Sequence, residues 1–409
     1  MLHLRQNNIT GRMIIMALSL GTIIILGLTF NKIFNKLRLP GLLGMLILGI
    51  LIGPYGINLI SDDILRVSSD LRTIALIIIL LRAGLGIKKD TLNKVGVPAI
   101  KMSFLPGLFE GFAIMFFASY VLQITKIEAG MLGFIIAAVS PAVIVPQMLD
   151  FMQRNLGHDK GIPTLILAGA SIDDVFAITL FTTFLGLYGG KNINLAFKVL
   201  EIPLSIIIGI LLGLIIGIII VKIFEKYHIR DTKKVLILIG SAILLNSLED
   251  FLKGIIPVAS LLGVMTIGFI ILEKYPTVAN RLSSKFNKIW VFAEILLFVL
   301  VGAQVNIHVA INSGITGLLI IVVGLIARSV GVLLSVKKTD LNFKERMFCV
   351  ISYIPKATVQ AAIGSVPLSA GVESGELILA IAVLSIIITA PLGAIGIKLS
   401  GEKWLTPHL

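Results

Sequence analysis

Long apolar stretches separated by short connections run through the whole chain. At roughly 20 apolar residues per bilayer crossing, they predict about thirteen membrane helices. Their limits fall near 12–34, 40–57, 69–87, 97–123, 128–151, 161–189, 197–225, 232–249, 255–273, 285–303, 309–336, 345–369 and 375–399. The first stretch is longer than a signal-peptide core and no small-residue cleavage pattern follows it, so it reads as the first span. The second is the least secure, because its apolar part, Leu42 to Ile52, is short and Gly53, Pro54 and Gly56 end it early or make it re-entrant. The expected fold class is an all-α polytopic membrane protein.

The connections supply an orientation, since Lys and Arg accumulate on the cytoplasmic side. About 23 of the 35 basic residues lie in loops after odd-numbered spans or at the C-terminus, against about 7 at the N-terminus and after even-numbered spans. The densest group, Lys222, Lys226, Arg230, Lys233 and Lys234, follows span seven. This alternation predicts an N-terminus outside and a C-terminus in the cytoplasm.

Thirteen spans divide as six, one and six, which turns the second half upside down relative to the first. Inverted repeats of this kind are a transporter signature. Spans five and twelve then correspond, and both are interrupted by proline at mid-depth: Ser140-Pro141 with Pro146 in one, and Pro355-Lys356-Ala357-Thr358-Val359-Gln360 in the other. Proline removes a helical hydrogen bond, and non-helical backbone inside a membrane is tolerated only where protein or a cavity surrounds it. Two broken helices in matching positions are a pointer to a binding site, although either alone reads equally well as an ordinary kink.

Charged residues at mid-depth sharpen that pointer. Glu110, Asp173, Asp174, Arg328 and Lys356 all lie near the centres of their spans. An ionised side chain there costs about 3 kcal/mol on the lenient insertion scale, so such residues are held by partners or by function. With three acids and two bases, one acid is left over. Because spans four and eleven correspond, Glu110 is expected to pair with Arg328 as a structural ion pair. Asp173 is expected to pair with Lys356, which leaves Asp174 to take a proton or a cation. Sodium is a hard cation that prefers oxygen ligands. Ser140, Thr358 and the carbonyls opened at the breaks are the candidate auxiliary ligands. Arg82 and Lys101 lie near span ends and read as snorkelling residues, and Glu294 has no evident partner from sequence.

Composition removes other classes. The chain is 57% hydrophobic and 14% charged, so its net charge of +13 is assigned to lipid-facing and cytoplasmic loops rather than to nucleic acid. The single Cys349 excludes an intramolecular disulfide, and five scattered histidines have no metal-ligand spacing. An enzyme is disfavoured because adjacent aspartates on a helix point about 100° apart and cannot close on one scissile bond. No cofactor is expected, since competition of proton and cation for one carboxylate can drive exchange without nucleotide.

The stretch Ala138-Val139-Ser140-Pro141-Ala142-Val143-Ile144-Val145-Pro146, with Gly161-Ile162-Pro163-Thr164, Ala170-Ser171-Ile172-Asp173-Asp174-Val175 and Pro355-Lys356-Ala357-Thr358-Val359-Gln360-Ala361-Ala362-Ile363-Gly364, resembles the double-aspartate branch of the monovalent cation:proton antiporters. Within that branch it is most similar to the NHA-type sodium/proton antiporters, whose pattern also includes Arg82-Ala83-Gly84-Leu85, Glu110 and Arg328. The resemblance implies an NhaA-like fold with a core ion-transport domain at 97–190 and 308–400 and a linker helix at 197–225. It also implies a dimerisation domain at 12–87 and 232–303, a homodimer and elevator-like alternating access. The expected function is exchange of sodium or lithium for protons in a bacterial plasma membrane, electrogenic if Lys356 releases a second proton. A potassium/proton antiporter and a sodium-coupled organic-anion symporter on the same fold are the alternatives.

Overall fold

The computed structural model describes residues 2–37, 39–189, 195–252, 255–306 and 314–405, with side chains left out at 2–15 and 195–199. The predicted domain limits at 190 and 308 and the start of the predicted span at 309 lie outside them. Every described element is helical: α1 (Leu2–Lys36), α2 (Gly41–Ile52), α3 (Asp62–Arg66), α4 (Ser68–Gly84), α5 (Lys89–Met102), α6 (Leu105–Val121), α7 (Lys126–Ala137), α8 (Pro141–Gln153), α9 (Ile162–Tyr188), α10 (Leu195–Lys226), α11 (Asp231–Leu252), α12 (Ser260–Lys274), α13 (Pro276–Ala303), α14 (Gly314–Ser335), α15 (Phe343–Ser352), α16 (Thr358–Ile363), α17 (Val366–Ser369) and α18 (Gly375–Trp404). Nine helical stretches among the described residues are long and apolar enough to cross a membrane, and α2 is a shorter apolar helix.

Both proline segments interrupt their helices. Between α7 and α8 the chain is extended, with Ala138 at φ −68°, ψ 131° and Ser140 at φ −90°, ψ 105°. Pro141 excludes the α conformation from the residue before it and then starts α8, where a missing N–H costs nothing. Between α15 and α16 the chain leaves the helix from Tyr353 to Ala357, across Pro355. A third interruption divides the predicted span 97–123 into α5 and α6 at Ser103 and Phe104. Pro106, in the first turn of α6, is the cause, since its ring cannot sit beneath an unbroken preceding turn.

The two broken helices begin with the same local device. Thr125 caps α7 and Asn342 caps α15, each forming a capping box with a glutamate three residues on, Glu128 and Glu345. Each glutamate also holds a distant loop. Glu128 Oε1 accepts from the Ser374 N–H at 3.2 Å and the Ser374 hydroxyl at 3.0 Å, just before α18. Glu345 Oε2 accepts from Lys160 Nζ at 2.7 Å, just before α9. The cap therefore fixes where each broken helix starts and which neighbouring loop it is tied to.

The described chain separates into two units, 1–76 with 288–308 and 77–287 with 309–409. In the first, α2 and the last part of α13 meet backbone to backbone, because a Cβ on Gly49 would overlap the Val299 carbonyl and one on Gly302 the Leu46 carbonyl. In the second, α6 packs between α7 and α14. Their apolar faces, with α9 and α18, bury a core that includes Ile114, Phe134, Phe181, Ile320 and Ile381. The Phe134 ring is edge-on to Phe112 at 5.3 Å and stacked on Phe184 at 5.7 Å. At the two breaks Ala138, Val139, Ser140, Tyr353, Lys356 and Ala357 are buried, which keeps water from the unwound backbone.

Candidate ion site

The two broken segments touch where both are unwound. The Ser140 N–H donates to the Pro355 carbonyl at 2.9 Å, and the Ser140 and Thr358 hydroxyls lie 3.5 Å apart. Gln360, in the first turn of α16, donates to three carbonyls of the other segment: Ile135 at 2.9 Å, Ile136 at 3.3 Å and Ala138 at 2.9 Å. One amide thus satisfies most of the acceptors freed at the end of α7, as buried backbone requires. The Lys356 N–H is held by the Thr389 hydroxyl of α18 at 2.9 Å.

Four charged side chains meet beside this crossing, all buried. Arg328 of α14 is central. Its Nη1 donates to Glu110 Oε2 at 2.5 Å and to the Ala137 carbonyl, and its Nη2 donates to Asp173 Oδ2 at 3.0 Å. Its guanidinium also lies over the Tyr353 ring, 5.2 Å from the centroid. Lys356 Nζ donates to the same Glu110 Oε2 at 2.6 Å. Asp173 Oδ2 accepts a further bond from the Val139 N–H at 2.8 Å, inside the first break.

This pairing corrects one expectation. Lys356 is bonded to Glu110 and not to Asp173, whose base is Arg328. The cause is local: with the Lys356 N–H fixed on Thr389, its side chain extends toward α6, while Arg328 is long enough to bridge α6 and α9. Glu110 and Arg328 are in contact, but as part of a four-residue network rather than an isolated pair.

Asp174 stands apart from the network. It enters no ion pair among the described residues, and its Oδ1 is buried with no hydrogen-bond donor. Asp173 Oδ1 and Glu110 Oε1 are also buried without donors among the described residues. Unpartnered buried carboxylate oxygens are costly, so a cluster of them marks a place suited to a cation or a proton. With every group ionised, three carboxylates face two cations, and one monovalent cation or one proton restores neutrality.

The transmembrane sodium/hydrogen exchanger model matches residues 21–401. The chain belongs to the sodium/hydrogen exchanger family. Human sodium/hydrogen exchanger 9B2 is 34% identical over 383 residues, which are 90% of this chain and 70% of that protein. Human sodium/hydrogen exchanger 9B1 is 33% identical over 385 residues, covering 90% and 73%. In fold, this exchanger resembles the sodium proton antiporter MjNhaP1 from Methanocaldococcus jannaschii at pH 8, with a TM-score of 0.76 and 22% identity over 96% of this chain and 97% of that one.

Sequence reasoning did not assign a role to three residues of this candidate site. Gln360 lies in the interrupted segment that carries the resemblance but shows no role of its own there, and its three acceptors belong to another helix. Tyr353 and Thr389 carry no distinguishing motif, because a ring beneath a guanidinium and a hydroxyl on a backbone N–H are matters of packing.

Proposed function

We propose that this chain exchanges sodium or lithium for protons by alternating access, with Asp174 as the group that carries either. The observation that carries the reading is the unequal pair on α9. Asp173 is neutralised by Arg328 and oriented by the Val139 N–H, whereas Asp174 has a buried oxygen and, among the described residues, no base within ion-pair distance. A cation on Asp174 would draw on Asp173 Oδ1, with Ser140 and Thr358 as hydroxyl ligands at the crossing. Hard oxygen ligands suit sodium and lithium. Because proton and cation exclude each other on one carboxylate, exchange follows if only the occupied form crosses the barrier.

We take the remaining features as part of the same reading: thirteen spans in a six, one, six inverted repeat, with the N-terminus outside and the C-terminus in the cytoplasm. The core would comprise 97–190 and 308–400, moving in elevator fashion against a dimerisation domain of 12–87 and 232–303, with 197–225 as linker. The setting would be a homodimer in a bacterial plasma membrane. The charge count gives one proton per cation. A second proton from Lys356 would need that residue on Asp173, and its contact with Glu110 argues for voltage-independent exchange. The same contact leaves Lys356 poorly placed to hold a substrate carboxylate, which weighs against an organic-anion symporter.

The test is cation-induced proton movement in liposomes of purified protein carrying a lumenal pH dye, with sodium, lithium and potassium added separately. The expected result is a sodium or lithium response that Asp174→Asn abolishes while the variant elutes and melts like the parent. A response that survives in that variant would move the ion elsewhere, and a response to potassium alone would replace the cation. A sodium response that changes when a potassium gradient and valinomycin set the voltage would overturn the one-for-one ratio.

A further inference from the structure

The N-terminus of α9 faces a cavity of about 240 Å³ that the ion site does not use. Arg82, Lys88, His158, Thr164, Asn280 and Ser283 are among its lining residues, and no aspartate or glutamate is. A cation route would carry the opposite sign, whereas such a lining concentrates anions. By the positive-inside count this is the cytoplasmic end of α9.

The start of α9 lacks the donors' usual partners. Its N-cap is Gly161 at φ 63°, which offers no side chain to cap the helix, and Pro163 has no N–H. The Ile162 N–H is taken by the Gly157 carbonyl at 3.1 Å and the Leu165 N–H by the Gly161 carbonyl at 2.8 Å. Thr164 is left. Neither its N–H nor its hydroxyl has a hydrogen-bond partner among the described residues, although the residue is only 2% exposed and lines the cavity. Buried donors are nearly always satisfied, and a helix N-terminus adds the positive end of its dipole. Two free donors on one residue, with a guanidinium, an ammonium and an imidazole around the same space, match the oxygens of a phosphate group. The volume lies below the range typical of drug-sized ligands, which suits a single headgroup or a small ion.

We propose that this cavity binds a phosphate-class anion, supplied by a phospholipid headgroup or by free phosphate. Asn280 and Ser283 belong to α13 and Arg82 to α4, so the bound anion would tie the start of α9 to both. Asp173 and Asp174 lie about 14 Å further along the same helix. The anion would therefore act as a brake on any movement of α9. That consequence rests on the exchange reading, whereas binding itself does not.

The experiment is thermal unfolding of the purified full chain in uncharged detergent, titrated with N-methylglucamine phosphate against the chloride salt at constant ionic strength. It is repeated in nanodiscs of phosphatidylcholine with and without phosphatidylglycerol. Phosphate is expected to raise the unfolding temperature saturably. Lys88→Gln should weaken that binding at least about tenfold and Thr164→Val several-fold, each removing one hydrogen bond to a charged ligand. Both variants should melt like the parent in chloride, because Lys88 is exposed and valine matches threonine in shape. A rise with phosphatidylglycerol but not with free phosphate, reduced by the same substitutions, would support the proposal and identify the headgroup as the source. No rise with either, or a rise that both variants retain, overturns it. Sodium-driven proton flux in phosphate-free phosphatidylcholine liposomes is measured in parallel. Loss of flux there would count against the exchange reading and leave the binding result intact.

Discussion

Glu110→Gln is the substitution that tests the charge network most directly. One oxygen, Glu110 Oε2, accepts from both Arg328 at 2.5 Å and Lys356 at 2.6 Å, and all three residues are buried. Removing its charge leaves Arg328 with Asp173 but leaves Lys356 with no carboxylate within ion-pair distance among the described residues. Breaking a buried pair in this way typically costs about 3–5 kcal/mol, most of it the uncompensated charge. Asp173→Asn should cost less, about 1.5–3 kcal/mol, because Arg328 then keeps Glu110 and loses one charge-assisted bond. The second test is rescue. If the stranded ammonium is the main penalty, Glu110→Gln with Lys356→Met should be more stable than Glu110→Gln alone. The assay is the loss of monodisperse dimer or monomer after heating in detergent, read by size-exclusion chromatography across a temperature series. Equal losses for Glu110→Gln and Asp173→Asn, or a double variant weaker than the single one, would refute the assignment of Lys356 to Glu110.

Three further outcomes follow from other contacts in the second unit. Gly169→Ala places a methyl group on the Tyr353 hydroxyl, so stability should fall by about 1–3 kcal/mol; Tyr353→Phe, which removes that oxygen, should restore part of the loss in the same heating series. Gln360→Leu removes the donor to the Ile135, Ile136 and Ala138 carbonyls. It should raise amide exchange in 135–140 by at least about tenfold, as measured by mass spectrometry. Glu128→Gln keeps the shape of the α7 cap but loses the charge bonded to Thr125 and Ser374. A loss of about 1–2 kcal/mol is expected, and amide exchange should rise both at 125–128 and near Ser374, whereas a merely local cap would affect the first segment alone.

Much of this arrangement could be read before any coordinates, for reasons that differ from residue to residue. Pro141 and Pro355 announced the breaks because proline acts on its own chain, through φ and a missing N–H. The surplus carboxylate followed from counting charges that a bilayer does not tolerate unpaired. The partner of Lys356 was not legible, since helix correspondence says which spans are neighbours but not how far a side chain reaches from unwound backbone. The interruption at Ser103 and Phe104 was legible from Pro106, but hydropathy carries no mark of a kink and the stretch was read as one span. Gln360 lay beyond a sequence argument, because its acceptors are main-chain atoms more than two hundred positions away.

Cys349 is the one cysteine in the chain, and α15 buries it completely. Alkylating reagents added to folded protein should leave it untouched. The native sequence is thus a ready background for reporter thiols: a cysteine introduced beside Lys160 or Ser374 would be the sole reactive group. On the proposed topology, membrane-impermeant maleimides applied from one side at a time would label one of the two tied loops and spare the other, a test of that topology that alters no charged residue of the candidate ion site.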